Sequence, residues 1–268
     1  LYKQLAVLCP SKESYKYNVV TCYEALGDYT TAINMLEEMV YINPKYTFDT
    51  FIVGNSNKFA HAVAMAVANN PSLFDHTNKE NYNPLFIYGN SGLGKTHLLY
   101  AITNKIKSAN PDAEIIYIKG DDFTNQMVDY LSRQAMKEFR DKYRSCDVLL
   151  IDDVQFLAKK QSTQTEFFNT FNTLQQNNKQ IVVTLDRPPR EIKTLDDRIR
   201  SRFEGGLFAD ITPPDFETRV GIIKKKAEQS GIEISEELTS EVDNLIRTNL
   251  FTPEAFILFL CLFWAIIS

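Results

Sequence analysis

The sequence contains few residues that bind transition metals or form disulfides, with four cysteines and three histidines among 268 residues. The cysteines are scattered at Cys9, Cys22, Cys146 and Cys261, and no two of them form a Cys-x-x-Cys pair. This spacing argues against a disulfide framework and against a zinc site, and it is typical of a reducing compartment. We therefore expect a cytoplasmic protein.

A positive net charge and a secretion signal are also missing. The formal net charge is −5, so no global field draws the chain onto nucleic acid, and any DNA contact requires a local basic surface. The N-terminus shows no signal peptide. The chain begins at Leu1 rather than at methionine, which predicts a fragment or a trimmed sequence.

One stretch of the chain predicts a phosphate-binding loop. An apolar run from Leu85 to Tyr88 is followed by Gly89-x-x-x-x-Gly94-Lys95-Thr96 and then by apolar residues at helical spacing. Strand, glycine-rich loop and helix in this order place backbone N–H groups around phosphate oxygens at a helix N-terminus. The predicted nucleotide-binding residues are Gly89, Asn90, Ser91, Gly92, Leu93, Gly94, Lys95, Thr96 and His97. Lys95 is expected to contact the β- and γ-phosphates of ATP, and Thr96 to bind Mg²⁺.

The remaining pattern predicts an α/β fold with a parallel sheet covered by helices on both faces. Four further apolar runs follow the loop, at 114–118, 148–153, 180–186 and 207–211, and a long helix is expected at about 121–144. Before the loop, a β-prone linker at 45–51 is followed by a helix with an apolar face made of Phe59, Ala62, Val63, Ala66 and Val67. Short apolar strands alternating with helices are typical of parallel sheets.

Two carboxylates are expected at the sheet edge where ligands bind in such folds. Asp152 and Asp153 end the strand at 148–153, and we expect Asp152 to hold Mg²⁺ and Asp153 to orient a water molecule. Thr184 and Asp186 end the neighbouring strand; they either sense the γ-phosphate or, in the case of Asp186, belong to a turn.

Three arginines, Arg198, Arg200 and Arg202, follow one another at alternate positions. One interpretation is a solvated basic face. The other is an arginine finger that completes the ATP site of a neighbouring subunit, so that the protein forms a homo-oligomer.

The N-terminal residues 1–44 predict a helical hairpin. Pro10 and Pro44 are 34 positions apart, and the segment 23–44 resembles a tetratricopeptide repeat. Since little more than one repeat is present, we expect a hairpin that rests on the next domain, with a cut-short peptide-binding array as the alternative. The second interpretation implies a protein partner for these helices.

Five segments carry a resemblance to the bacterial chromosomal replication initiator family, DnaA. They are 83–97, 138–144, 149–156, 186–189 and 197–207. The resemblance implies an AAA+ P-loop ATPase that binds ATP, oligomerises on origin DNA and helps to open it. It also implies that Asp186 is the sensor-1 residue, Arg202 the finger acting in trans and Arg198 its helper. Met127, Val128, Lys159 and Lys160 are implied to line a path for single-stranded DNA.

The domain boundaries follow from the same comparison. We expect the ATP-binding α/β subdomain at 45–212, a truncated helical lid at 213–250 and an uncharged apolar tail at 251–268. The resemblance places Phe251 where the family has its sensor-2 arginine, which predicts impaired hydrolysis. We also expect no domain that reads duplex DNA boxes. The tail is interpreted as a joined or frameshifted sequence, as a buried lid helix or as a membrane-surface contact.

Two other functions remain as hypotheses. In the first, the chain is an adaptor that binds a protein partner, and the nucleotide only switches its conformation. In the second, the chain is an AAA+ regulator or helicase loader that acts on the initiator. In the adaptor hypothesis the helices at 1–44 recruit the partner, and the hypothesis is favoured by Phe251 and by the expected lack of a duplex-reading domain.

Overall fold

The computed structural model of the protein describes residues 45–71, 82–159, 161–229, 231, 233–236 and 239. The predicted hairpin at 1–44, most of the predicted lid after residue 229, Phe251 and the apolar tail lie outside these ranges. The described residues form one sheet with helices packed on both of its faces.

The sheet has five parallel strands in the order β2-β3-β4-β1-β5. They are β1 (Leu85–Tyr88), β2 (Ile115–Lys119), β3 (Val148–Asp152), β4 (Gln180–Leu185) and β5 (Leu207–Asp210). All residues of β3 and β4 are buried, as expected for central strands that are covered on both faces. This confirms the predicted α/β class. Each strand begins and ends within one residue of its predicted position.

Seven α-helices are described. They are α1 (Lys58–Asn69), α2 (Lys95–Ala109), α3 (Gly120–Ser132), α4 (Met136–Ser145), α5 (Gln161–Gln176), α6 (Asp197–Phe203) and α7 (Phe216–Gln229). One hydrophobic core lies between the sheet and α1 and α2. A second core, rich in phenylalanine, lies between the opposite face and α3 to α6. The sheet therefore fixes the positions of loops that lie far apart in the sequence.

The structure differs from the sequence interpretation in three details. The predicted helix at 121–144 is two helices, because Gln134 between α3 and α4 has a left-handed φ of 56°. The linker, which the sequence indicates only as β-prone, contains a 3₁₀ turn at Phe48–Thr50. In α1, Phe59 is 50% exposed, and the buried face is made of small residues together with Val63 and Val67.

No helix in the described ranges is long and apolar enough to cross a membrane.

Helices α4 and α5 are joined by a carboxylate with two arginine partners. The Glu166 side chain is 8% exposed; it accepts hydrogen bonds from Arg144 Nη2 at 2.6 Å and from Arg140 Nη2 at 3.1 Å. A buried carboxylate is stable when its oxygens are satisfied by charged donors. Glu166 thus fixes the two helices against each other and offsets part of the positive charge of Arg140 and Arg144.

We expect Glu166→Gln to lower the free energy of unfolding by roughly 1–3 kcal/mol, because both arginines lose a charged acceptor. Urea denaturation of the full chain measures this change. The matched control is Glu138→Gln, an exposed residue of α4, for which we expect a change within about 0.5 kcal/mol. Equal losses in the two variants would contradict the role of Glu166.

Candidate functional site

The loop between β1 and α2 depends on glycine at positions where a side chain does not fit. Gly92 and Gly94 have φ angles of 79° and 94°, in the left-handed region that favours glycine. A Cβ atom at Gly89 would lie 2.2 Å from the Ile211 carbonyl oxygen. Glycine at these positions lets the chain turn tightly from the strand into the N-terminus of α2.

Lys95 is the first residue of α2, and its side chain turns back into the loop. Its Nζ donates hydrogen bonds to the carbonyl oxygens of Gly89 at 2.7 Å and of Asn90 at 3.0 Å, and the residue is 6% exposed. The first N–H groups of a helix have no intrahelical acceptor and carry partial positive charge. An ammonium group beside these N–H groups makes the loop a site for an anion such as a phosphate.

The carboxylate of Asp152 lies at the end of β3, where hydroxyl groups from three elements donate to it. Its Oδ2 accepts from Thr96 Oγ1 at 2.7 Å and from the Tyr117 hydroxyl at 3.1 Å, and its Oδ1 accepts from Thr184 Oγ1. Asp152 is 2% exposed. Carboxylate and hydroxyl oxygens next to a phosphate-binding loop are the donor set that suits Mg²⁺. In the described part of the chain, no group of three or more His, Cys, Asp or Glu forms an all-protein metal site.

Asp153 follows the strand with a left-handed φ of 55°. Its backbone N–H donates to Thr184 Oγ1 at 2.8 Å, and its carboxylate accepts from Gln155 Nε2 at 3.1 Å. The Thr184 hydroxyl therefore connects the two acidic residues, donating to one and accepting from the other. The sequence interpretation had considered Thr184 only as a phosphate sensor.

Asp186 lies immediately after β4, beside the start of the loop. The Gly89 N–H donates to the Leu185 carbonyl oxygen at 3.2 Å, which brings the ends of β1 and β4 together. The Asp186 carboxylate pairs with the neighbouring Arg187 at 2.9 Å. Its position at this edge is as expected, and its side chain also stabilises the turn that follows.

Tyr117 was not identified from the sequence as a site residue. Its ring lies on the ring of Tyr100 from α2, with centroids 4.9 Å apart. Burial raises the pKa of Tyr117 far above its ordinary value, and the nearby Asp152 charge adds a smaller effect in the same direction. The hydroxyl therefore remains a donor. The signal in the sequence was only the place of a tyrosine within a predicted strand.

The side chain of His97 faces residues 46–57, the segment that precedes α1. Its Nε2 donates to the Thr47 carbonyl oxygen at 2.8 Å, and its ring lies 4.9 Å from Tyr46 and 5.1 Å from Phe51. Burial lowers the pKa of His97, and the hydrogen bond to Thr47 opposes that effect. The His97 imidazole thus holds this segment to α2.

A cavity of about 390 Å³ lies between this segment and the start of α7. It is lined by Ile52, Val53, Gly54, Asn55, Lys58, Asp215, Glu217 and Thr218. The segment reaches the loop through Phe51, whose ring carbon lies 3.0 Å from the place of a Cβ at Gly94.

The three arginines of α6 have different surroundings. Arg198 pairs with Asp196 at 2.9 Å and lies over the ring of Phe168, while Arg200 donates to the Leu195 carbonyl oxygen at 2.8 Å. Arg202 is exposed, and within the described ranges its side chain has no hydrogen bond or ion pair. Of the three arginines, Arg202 is the one whose charge is available to a second molecule.

The predicted DNA path is only partly at the surface. Met127 is 5% exposed and belongs to the core, so its side chain does not line a surface path, whereas Val128 is 45% exposed. The side chain of Lys159 and all of Lys160 lie outside the described residues. On the neighbouring helix α4, Arg140 and Arg144 are paired with Glu166, which offsets part of their positive charge.

A family model matches most of the part of the chain that the structure describes. Residues 42–210 match the model of the bacterial DnaA ATPase domain. The chain is similar to the chromosomal replication initiator protein DnaA of Symbiobacterium thermophilum, with 53% identity over 210 residues. This alignment covers 78% of the chain and 44% of that relative, so the chain spans less than half of the relative's length.

Solved structures with a fold similar to that of this chain include the following two. Domain III from the Thermotoga maritima replication initiation protein DnaA is 46% identical with a TM-score of 0.70, and the match covers 75% of this chain and 80% of that chain. A replication initiator DnaA bound to AMPPCP and single-stranded DNA is 42% identical with a TM-score of 0.68, covering 75% and 60% of the two chains.

The buried imidazole of His97 predicts a pH dependence of stability. Its pKa is lowered from 6.5 in the folded chain, so the unfolded chain binds a proton more readily. Stability is therefore present above the unfolded pKa and is lost as the pH falls below it. We expect the free energy of unfolding to fall between about pH 7.5 and about pH 5.5, and to fall less steeply in His97→Asn.

Denaturation at a series of pH values checks this expectation. His61, whose pKa burial also lowers, contributes with the same sign, so both proteins are expected to lose stability as the pH falls. Identical pH slopes in the wild type and in His97→Asn would rule out the contribution of His97.

Proposed function

The chain belongs to the family of the bacterial DnaA ATPase domain, and from that membership we propose that it binds ATP with Mg²⁺ as the nucleotide-binding part of a chromosomal replication initiator. The observation that carries this proposal is the juxtaposition of Lys95 inside the loop with the hydrogen bond from Thr96 to Asp152. This arrangement places a positively charged group that suits phosphate next to two oxygen groups that suit Mg²⁺.

We assign the phosphate-binding role to the loop residues and the start of α2. Backbone N–H groups from Gly89 to His97 surround the phosphates, and Lys95 donates to the β- and γ-phosphates. Thr96 and Asp152 hold Mg²⁺, which neutralises charge on the phosphate oxygens when it is bound. Both side chains are already in contact, so little rearrangement is needed to place them on one ion.

The rest of the nucleotide has a place near the loop. The cavity lined by Ile52, Val53 and Thr218 is of a size that suits a small ligand, and its wall leads to the loop through Phe51. We propose that it receives the base, with α7 as the beginning of the lid that covers it.

Asp153 and Asp186 are the proposed groups on the hydrolytic side. Both follow strands at the carboxyl edge of the sheet, next to the loop. We propose that Asp153 orients water and that Asp186 senses the γ-phosphate. The fixed backbone of Asp153 supports this role, since Thr184 holds its N–H.

Self-assembly and contact with single-stranded origin DNA complete the proposal. The exposed Arg202 supports a role in trans, with the paired Arg198 beside it as its helper. A related initiator has been solved with AMPPCP and single-stranded DNA together, and this supports a DNA partner. On this chain the exposed Val128 and Leu131 of α3 are the described apolar side chains that we propose for this contact.

We expect Lys95→Ala to weaken ATP binding by at least about tenfold, because a charge-assisted contact with phosphate is lost. Isothermal titration calorimetry of the full chain with Mg²⁺ measures the affinity. Lys105→Ala, which changes an exposed lysine of the same helix, is the matched control and is expected to bind as the wild type does. Unchanged affinity in Lys95→Ala would refute the assignment of the site.

We expect Arg202→Ala to bind ATP normally and to lose ATP-dependent assembly, since its charge acts on the neighbour's nucleotide. Analytical ultracentrifugation with single-stranded DNA measures the assembly, and Arg190→Ala, another exposed arginine, is the control. Mixing Arg202→Ala with Lys95→Ala should restore part of the assembly, because each supplies the half that the other lacks. Absence of any restoration would count against action in trans.

A further inference from the structure

We propose that Tyr117 is a positioning residue that orients the Asp152 carboxylate toward Mg²⁺. This inference rests on the proposed nucleotide site and extends it to a residue outside the phosphate loop and the strand-end acids. Tyr117 acts through Asp152 and does not itself contact the nucleotide.

The first support is the direction of the contacts on Asp152. The Tyr117 hydroxyl comes from β2 and donates to Oδ2, and the Thr184 hydroxyl comes from β4 and donates to Oδ1. The carboxylate on β3 is therefore held from both neighbouring strands, which prevents rotation about its Cβ–Cγ bond. A fixed carboxylate binds a metal without first losing rotational freedom.

The second support is that the register between the strands requires a long side chain here. Lys119 is opposite Asp152, and Tyr117 lies two residues earlier on the same face of β2. Two residues along a strand span about 6.6 Å, so a short hydroxyl side chain at 117 does not reach the carboxylate. The phenol reaches it and is held by its contact with the ring of Tyr100.

The third support is that one oxygen, Oδ2, accepts from both Tyr117 and Thr96. Thr96 is the other proposed metal ligand, so Tyr117 donates to the oxygen that lies next to it. Partners of metal ligands orient those ligands, and their loss commonly weakens metal binding by about 10–100-fold.

Tyr117→Phe tests this role, because it removes the hydroxyl and keeps the ring against Tyr100. The full chain is titrated with MgCl₂ at a fixed ATP concentration, and the bound nucleotide is measured. We expect the Mg²⁺ concentration for half-maximal enhancement of ATP binding to rise by about tenfold. We expect the affinity for ATP in excess EDTA to stay within about twofold of the wild type, because the phosphate loop is intact.

The matched control is Tyr143→Phe. Tyr143 is fully buried and donates its hydroxyl hydrogen bond to Gln126 at 2.7 Å, in the core on the other face of the sheet. Both variants lose one partly buried tyrosine hydrogen bond, and thermal unfolding measures the effect on stability. Only Tyr117→Phe is expected to change the Mg²⁺ requirement.

The outcomes separate the inference from the proposed function. If the wild type binds no ATP, the nucleotide site and this inference both fail. If the wild type binds ATP with Mg²⁺ and Tyr117→Phe has the same Mg²⁺ requirement, only the inference is overturned. A similar change in both tyrosine variants, or an equal loss of affinity in EDTA, also overturns it, since a purely structural role predicts that result.

Discussion

The hydroxyl groups around the buried Asp152 carboxylate connect the structure to its proposed chemistry. They come from α2, β2 and β4, so the carboxylate has its full set of partners only when the sheet and the loop helix are assembled together. A buried charge without such partners is strongly unfavourable, whereas one with several hydroxyl donors is tolerated and is held in a fixed orientation. The stability of the sheet edge and the fixed orientation of the proposed metal ligand therefore have a common origin.

Aromatic contacts extend from this carboxylate to the segment before α1. The ring of Tyr117 lies on Tyr100, Tyr100 stacks on Tyr46 at 5.7 Å, and Tyr46 contacts His97. The segment that contributes to the cavity wall is thus attached to the helix that begins at Lys95. The phosphate loop, the proposed metal ligands and the cavity are therefore parts of one packed unit, because the segment before α1 packs directly on α2.

The parts of the site that were predictable from sequence are those encoded by local spacing. The loop from Gly89 to Thr96 and the acid at Asp152 each follow an apolar run, and each is recognisable from residues that are adjacent in the sequence. The contact of Tyr117 with Asp152 was not predictable, because it depends on the register of two strands. The break at Gln134 was missed since the apolar periodicity continues through it, and the face of α1 was misjudged because close packing on α2 favours small side chains over Phe59.

The position of β1 in the sheet has a consequence for the order in which the protein can fold during its synthesis. Its two neighbours are β4 and β5, and Leu85 pairs with Val182 and with Leu207. When the ribosome has released β1 and the phosphate loop, neither neighbour has yet been made, and the apolar strand has no edge to join. Such non-local pairing is slow and leaves the strand exposed to other chains or to chaperones. The phosphate loop, which is encoded early, is thus among the last parts of the domain to take its shape.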